Sequence, residues 1–381
     1  MNDFSDHLAI IGAGISGLAL GCTIAKEGHS SIIFEKNKEL GSHGAGISIS
    51  PNAIKVFEGL EMKNHLINSS ELTSKSEIFS YDERVYSASS QVRTTSRESL
   101  YKILLDEYIS LGGSIYFEHE MENIDTHERK IFFKNGSGYK VSHIAACDGI
   151  KSTCRKAFFE SNIEPVYSGY SAWRGFIKNS HDSVRINLAK NSHVVRYPID
   201  KKITSFVGVV KTNKKYKEQW KAEGNLKDMQ NDLSMHPSKL ISNLSQADHL
   251  YKWGIYTRPQ IKTLVKDGIT LLGDAAHPIV PFLGQGGCMA LEDAYIFGKL
   301  LAKHINNIEA AQSKYEQIRL PRLKFIKQIS ENQGRLYHLS NPILIKGRNL
   351  LMKLSNKYTD KRIQRISVSY THLTLPTILL V

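Results

Sequence analysis

Six residues near the start of this 381-residue chain, Gly12-Ala13-Gly14-Ile15-Ser16-Gly17, lie between an apolar run, His7 to Ile11, and a helical stretch from about Leu18 to Glu27. Strand, spaced glycines and helix in that order form a cradle for a diphosphate. Gly12 permits the tight turn, Gly14 lets the backbone approach a pyrophosphate, and Gly17 lets the helix lie close on the strand. The anion rests on the N–H groups of the loop, Ala13 included, and on the positive end of the helix dipole. A second short strand, Ser31 to Phe34, ends at Glu35, eighteen residues beyond Gly17, with Lys36 beside it. A carboxylate there accepts both hydroxyls of an adenosine ribose and repels a 2′-phosphate. NAD and FAD are both open at this point.

A second glycine-rich loop narrows the choice. Gly268 to Leu272 reads as a buried strand, followed by Gly273-Asp274-Ala275-Ala276-His277-Pro278 and then Pro281 to Gly287. A helix follows, with an apolar stripe at Ala290, Ala294, Phe297 and Leu301. Loop amides aimed by a helix start suit the N1–C2=O edge of a flavin, which becomes negative on reduction. Asp274 at the strand tip suits the ribityl hydroxyls.

GAGISG, RESLYKIL from Arg97, CDGIKSTCR from Cys147, GDAAHPIVPFLGQGG from Gly273 and YEQIRLPR from Tyr315 together resemble the single-component FAD-dependent aromatic hydroxylases. The resemblance runs in order over about Leu8 to Arg322. GAGISISPNAIKVFEGL from Gly44 and YSGYSAWRGF from Tyr167 are similar to the salicylate, 3-hydroxybenzoate and urate hydroxylases within that family. It implies that Gly12, Gly14 and Gly17 hold the FAD pyrophosphate, Glu35 the ribose with Lys36 alongside, and Asp274 the ribityl chain. Ser48 and Arg97 would contact FAD. Gly284, Gln285, Gly286, Gly287 and Cys288 would offer backbone N–H groups to the isoalloxazine. Asp148 and Arg155 match a segment linked to both FAD and NAD(P)H. Cys147 and Cys288 depart from the pattern, standing where a small residue such as Ala is expected.

The activity implied is hydroxylation of a small aromatic or heteroaromatic substrate with NAD(P)H and O₂, through a flavin C4a-hydroperoxide. An FAD monooxygenase of a non-aromatic substrate, such as an epoxidase or an antibiotic-modifying hydroxylase, is the alternative within enzymes. A non-catalytic flavin redox sensor is the alternative outside them.

These residues need a mixed α/β scaffold. The expectation is a Rossmann-like FAD-binding domain assembled from residues 1–75, 93–164 and 266–320. Residues 76–92 and 165–265 would form a substrate domain on an antiparallel sheet, and residues 321–366 C-terminal helices. In His193-Val194-Val195-Arg196-Tyr197 the alternation predicts a strand with His193, Val195 and Tyr197 on one face. The His193/Tyr197 pair resembles a substrate-gripping pair of the 3-hydroxybenzoate-type enzymes, in which a neutral imidazole takes the phenolic proton. Trp173 and Arg174 are candidates for stacking and carboxylate binding, or are simply structural.

Composition bounds the rest. With 41% hydrophobic residues, 27 Gly and only 10 Pro, the chain is globular rather than disordered or fibrous. The uncharged run Leu8 to Ala25 is neither signal peptide nor membrane span, because Asp3 and Asp6 precede it and glycines interrupt it. The expected place is the cytoplasm, which also fits four scattered cysteines. Lys and Arg (50) exceed Asp and Glu (37), for a net charge of +13, yet no nucleic-acid-binding motif accompanies the excess. Seven basic residues against Asp360 fall between Asn341 and Ser367. With Ile343, Leu350, Leu351 and Leu354 interleaved, they predict an amphipathic helix with a solvated basic face, or peripheral contact with a membrane surface. The expected assembly is a monomer or homodimer. Residues 367–381 resemble a non-native read-through tail and are set aside.

Overall fold

The computed structural model describes residues 2–40, 46–158, 164–178, 181–216, 222–354 and 366. Its first strand, Asn2–Ile11, ends in four buried residues, Leu8 to Ile11, flanked in parallel by Ser31–Phe34 and Gly138–Ala146. Ser114–Tyr116 and Ile269–Leu271 extend this parallel sheet on either side. Val265–Lys266 closes one edge, and the antiparallel pair Lys130–Phe133 and Met121–Asp125 leans on Gly138–Ala146, making eight strands. Parallel strands covered on both faces need apolar residues throughout. Here the helices Ile15–Lys26, Arg97–Ser110 and Gly286–Lys303 pack together around one continuous core. The Ser96 hydroxyl caps the second of these, accepting from the Ser99 N–H at 2.9 Å, and so sets Arg97 at the first helical position.

A seven-stranded sheet runs in the order Leu250–Thr257, Val166–Ile177, Thr204–Lys211, Ser192–Pro198, Ser183–Ala189, Lys75–Ser80, Glu83–Ser89. All its pairings are antiparallel except that of Ser183–Ala189 with Lys75–Ser80. One face carries Val194, Trp173 and Phe206 into a core under the helices Leu226–Asp232 and Ser238–Leu244. The opposite face carries His193, Ala172 and Val209 towards Val280 and Phe282. The 30-residue helix Ile308–Tyr337 packs on Gly286–Lys303 and then runs up to that second face, where Ser330 donates to the Val280 carbonyl at 2.6 Å.

Three expectations are corrected. The division at 320/321 falls inside the continuous helix Ile308–Tyr337, which accommodates Pro321. The division at 265/266 falls inside the strand Val265–Lys266, which belongs to the parallel sheet. The helix Pro342–Leu354 departs from the expectation in part: Lys346 and Lys353 are exposed, but Arg348 is buried while Ile343, Leu344, Leu350, Leu351 and Leu354 are all more than half exposed. The reason lies in polar groups beneath it. Arg348 donates to the Ser80 hydroxyl at 3.0 Å and to the Leu336 carbonyl at 3.3 Å, in the last turn of the long helix, where carbonyls have no intrahelical donor. The rest of the expected basic helix, from Lys357 to Arg365, and the tail 367–381 lie outside the described residues. No helix among them is long and apolar enough to cross a membrane.

The buried histidines, His143, His193, His236 and His338, give the fold a pH signature. Burial pushes His143 down to about 3, and His236 and His338 each to about 4. Unfolded histidines titrate near 6.5, so on acidification the unfolded chain takes up protons first and the folded state loses ground. The stability these groups confer is complete above pH 6.5 and disappears as pH falls towards 4. Between pH 7.5 and 5.5 the loss is about 1.4 kcal/mol for each of His143, His236 and His338, roughly 4 kcal/mol together. The urea midpoint should therefore drop markedly over that interval, and an unchanged midpoint would refute the assignment.

Candidate functional site

The ends of three adjacent parallel strands build the first cradle. The Gly12 N–H donates to the Phe34 carbonyl at 2.8 Å and the Cys147 N–H to the Ile11 carbonyl at 2.8 Å. Gly12 has φ +101°, and a Cβ there would lie 2.6 Å from the Cys147 carbonyl oxygen; one on Gly17 would lie 2.0 Å from that of Gly12. Both glycines are therefore required by the protein's own packing. Gly14 is different, since a Cβ on it would meet no protein atom within 4 Å. No internal contact demands glycine there, and the space beside it is open.

Glu35 is buried at the end of Ser31–Phe34. Its Oε2 accepts from the Ala13 N–H at 2.9 Å and its Oε1 from the Asn37 N–H at 3.0 Å. Ala13 thus gives its N–H to Glu35, and the carboxylate is held against the loop. Lys36 is exposed beside it.

The second cradle opens at Gly286–Lys303. The first-turn N–H groups of Gly286, Gly287 and Cys288 have no intrahelical acceptor. A Cβ on Gly286 would also meet open space. Gly284, at φ +63°, lies under Ser48, whose Oγ is 3.5 Å from the Gly284 carbonyl. Asp274 is exposed on the turn Gly273–Ala275. Burial lowers the Arg97 guanidinium below its ordinary value, and the carboxylate of Asp274 counters that shift, which puts the two in each other's field.

The side chains of Gln285 and Cys288 anchor the loop from behind. The Gln285 amide donates to the Ser50 hydroxyl at 3.0 Å and accepts from Asn52 at 3.1 Å. Cys288 is fully buried 3.5 Å from the Ser50 nitrogen, its thiol pushed up to about 11 by burial, so only its backbone N–H remains available to a ligand. Asp148 holds the Thr153 and Cys154 N–H groups on Oδ2 at 2.8 and 3.1 Å, while its buried Oδ1 has no hydrogen-bond partner. Arg155 is buried and clamps the carbonyls of Ala275 and Ala276 at 3.0 and 2.8 Å, which makes it a support for the Asp274 turn. Open cradles at Gly14 and Gly286, a ribose-type carboxylate and a buried carboxylate oxygen awaiting a donor together fit FAD.

The support the sequence reading missed is a buried charge cluster. Arg319 donates to Glu292 at 2.5 Å and to Asp293 at 2.7 Å, and Arg322 donates to Glu292 at 3.2 Å; all four are buried. Asp293 Oδ2 accepts from the Gly273 N–H at 3.0 Å and from His277, and Asn52 donates to Glu292 at 2.6 Å. Burial alone would raise both carboxyl pKa values. The guanidinium groups, with His277 on Asp293, outweigh it and hold both below their ordinary values. The available signal was an acidic pair, Glu292-Asp293, inside an apolar stripe, with Arg319 and Arg322 three residues apart in the following helix.

On the sheet face opposite, His193 and Tyr197 do share one side and are both buried, with the His193 ring centroid 5.7 Å from that of Phe282. Arg174 joins them: its guanidinium lies 4.6 Å from the Trp253 ring, and burial lowers it to about 10, with Tyr197 raising and Arg97 lowering it further. Trp173 points the other way, donating to Asp232 at 2.7 Å, so it lines no shared face with them.

Removing one partner of a buried ion pair leaves an uncompensated charge and costs about 3–5 kcal/mol. Arg319→Met should therefore lower the thermal midpoint by several degrees and release FAD on gel filtration. Wild-type midpoint and flavin content in that variant would show that the cluster does not hold the cradle.

The model of the FAD binding domain family matches residues 6–332. The chain is 26% identical over 369 residues to 3-hydroxybenzoate 6-hydroxylase of Klebsiella oxytoca, covering 90% of this chain and 91% of that one. It is 26% identical over 379 residues to salicylate hydroxylase of Pseudomonas putida, covering 89% and 87%. Among solved structures, Klebsiella pneumoniae HpxO complexed with FAD and uric acid superposes with a TM-score of 0.84 at 21% identity, over 95% of each chain. That last likeness speaks for the fold. With two cradles shaped for a dinucleotide and a family match spanning most of its length, the chain belongs to the FAD binding domain family, among the flavin-dependent hydroxylases.

Proposed function

We propose that the chain hydroxylates a small aromatic or heteroaromatic ring carrying an ionisable hydroxyl or carboxylate, with NAD(P)H as reductant and O₂ as oxygen donor. The carrying observation is that His193, Tyr197 and Arg174 lie on one buried sheet face beside the Phe282 to Gly287 loop. The two sheets support a division of labour between an FAD unit (1–75, 93–164, 266–320) and a substrate unit (76–92, 165–265), with the boundaries adjusted as above.

Bound FAD supplies hydride acceptance from NAD(P)H and activation of O₂ for transfer of one oxygen atom. The residues that would hold it are Glu35 at the ribose, the Gly14 cradle at the pyrophosphate, Asp274 with Arg97 at the ribityl chain, and the Gly286 to Cys288 amides at the flavin edge. These amides and the helix dipole favour negative charge at that edge. Burial, reinforced by His338 and His236, holds His193 well below its usual pKa, so it is neutral; that shift weakens it as a base, and an anionic substrate seated beside it would raise it again and let it accept the proton of a ring hydroxyl. Burial keeps Tyr197 a phenol, a donor for the substrate oxygen. The Arg174 charge favours an anionic ligand. The covering sheet face excludes water from the reacting atoms. Four free, buried cysteines support a reducing, cytoplasmic setting.

A panel of hydroxybenzoates, hydroxypyridines and urate, followed by NAD(P)H loss together with oxygenated product, tests this reading. One member should raise NAD(P)H oxidation at least tenfold. His193→Ala should then cut product formed per NAD(P)H severalfold while flavin reduction keeps its rate. Flavin that reduces without any member of the panel being oxygenated would favour the sensor alternative.

The exposed apolar face of Pro342–Leu354, bordered by Lys346 and Lys353, supports peripheral contact with an anionic membrane surface. The protein should sediment with phosphatidylserine vesicles, and Leu350→Ser with Leu354→Ser should abolish this. Equal sedimentation of the variant would rule the contact out.

A further inference from the structure

The long helix Ile308–Tyr337 delivers a second imidazole to the proposed reaction face. His338 follows its last residue, is 4% exposed, and lies with its ring centroid 4.9 Å from that of His193. Two contacts of this ring are close: His338 Nδ1 to the Gly334 carbonyl at 2.7 Å and His338 Nε2 to His193 Nδ1 at 3.0 Å. The Gly334 carbonyl already accepts from the His338 backbone N–H at 3.1 Å, and because a carbonyl oxygen can only accept, the ring nitrogen 2.7 Å from it must carry the hydrogen. A neutral imidazole has one hydrogen.

We infer that His338 fixes the tautomer of His193: its Nδ1–H is committed to Gly334, its Nε2 lone pair therefore accepts from His193 Nδ1–H, and the proton-accepting nitrogen of His193 is Nε2. The inference deepens the proposed role of His193 and rests on that reading for its chemical meaning, though not for its geometry. His338 acts through His193 and is a positioning residue.

Burial holds His338 at about 4, so near neutral pH it carries a single hydrogen. The carbonyl of Val209 also lies beside the ring. Moving the hydrogen to Nε2 to serve Val209 would set the bare Nδ1 lone pair against the Gly334 oxygen at 2.7 Å, which is repulsive. The groups acting most strongly on the pair are His236 and Lys211, with Tyr170 and Tyr337 in ring contact and Arg335 acting on Tyr170. None is an acid that would favour an imidazolium. When a substrate hydroxyl gives its proton to His193 Nε2, the O–H bond breaks, the N–H bond forms, and the new positive charge strengthens the bond from Nδ1–H to His338. A ring free to flip would present Nδ1 or Nε2 indifferently; this one presents Nε2.

The test is long-range ¹H–¹⁵N correlation of the FAD-loaded full chain with ring-¹⁵N histidine, the His193 signals being identified by their loss in His193→Gln. Wild type should show His193 neutral with hydrogen on Nδ1. His338→Asn keeps a donor near Gly334 but offers no acceptor at the Nε2 position, and should move the His193 hydrogen to Nε2. His338→Gln restores an acceptor there and should return it to Nδ1. Hydrogen on His193 Nε2 in wild type, or on Nδ1 unchanged in His338→Asn, would overturn the inference. If the tautomer behaves as expected but His193→Ala leaves the coupling of NAD(P)H to product intact, the base role fails while the His338 assignment stands.

Discussion

Arg319 is the pivot of this structure. Its guanidinium, fully enclosed, spans Glu292 and Asp293 near the start of one helix from the middle of another. Taking that charge out of water is expensive, and only the two carboxylates, with Arg322 balancing the count, make the site tolerable. The geometry that satisfies the charge also fixes the function. Asp293 holds the Gly273 amide, which opens the turn presenting Asp274, and Glu292 reaches Asn52, which orients Gln285 beneath the second cradle. A displacement of Arg319 would move the Asp274 turn and the Gly286 loop together.

The same economy appears at the first cradle. Gly12 and Gly17 are glycines because backbone atoms of the protein itself leave no room for a Cβ, whereas Gly14 and Gly286 are glycines facing open space. The first pair shapes the loop, and a Cβ on either of the second would meet no protein atom. Glu35 serves both purposes, bracing the Ala13 amide while standing at the strand end where a ribose is read.

The substrate face depends on an element distant in sequence. His193 is on a strand of the antiparallel sheet, while His338 is on the end of a helix that begins under the parallel sheet. That helix ties Phe282, Val280 and His193 into one packed unit, so the glycine-rich loop ahead of Gly286–Lys303 and the sheet that carries His193 are held in one register. Conformity between the two sheets is thus enforced by side-chain packing rather than by backbone pairing.

Local chemistry made the cofactor site readable from sequence alone. Tight turns need particular glycines, helix starts attract anions, and a strand-tip carboxylate is marked by its distance from the glycine loop; each of these acts over a few residues, so order and spacing carry them. Strand alternation likewise put His193 and Tyr197 on one face. What the chain order could not reveal was any choice made by burial. The side chains of Gln285 and Cys288 found their partners in Ser50 and Asn52, more than 230 residues earlier. The terminal helix hid Arg348 and exposed its leucines because Ser80 and Leu336 needed a donor, a demand that exists only once the chain has folded. Arg319 with Asp293 and His338 with His193 are pairs of the same kind: the residue types stand plainly in the sequence, but a buried charge or a ring nitrogen acquires its partner only through tertiary contact, where desolvation makes the pairing obligatory.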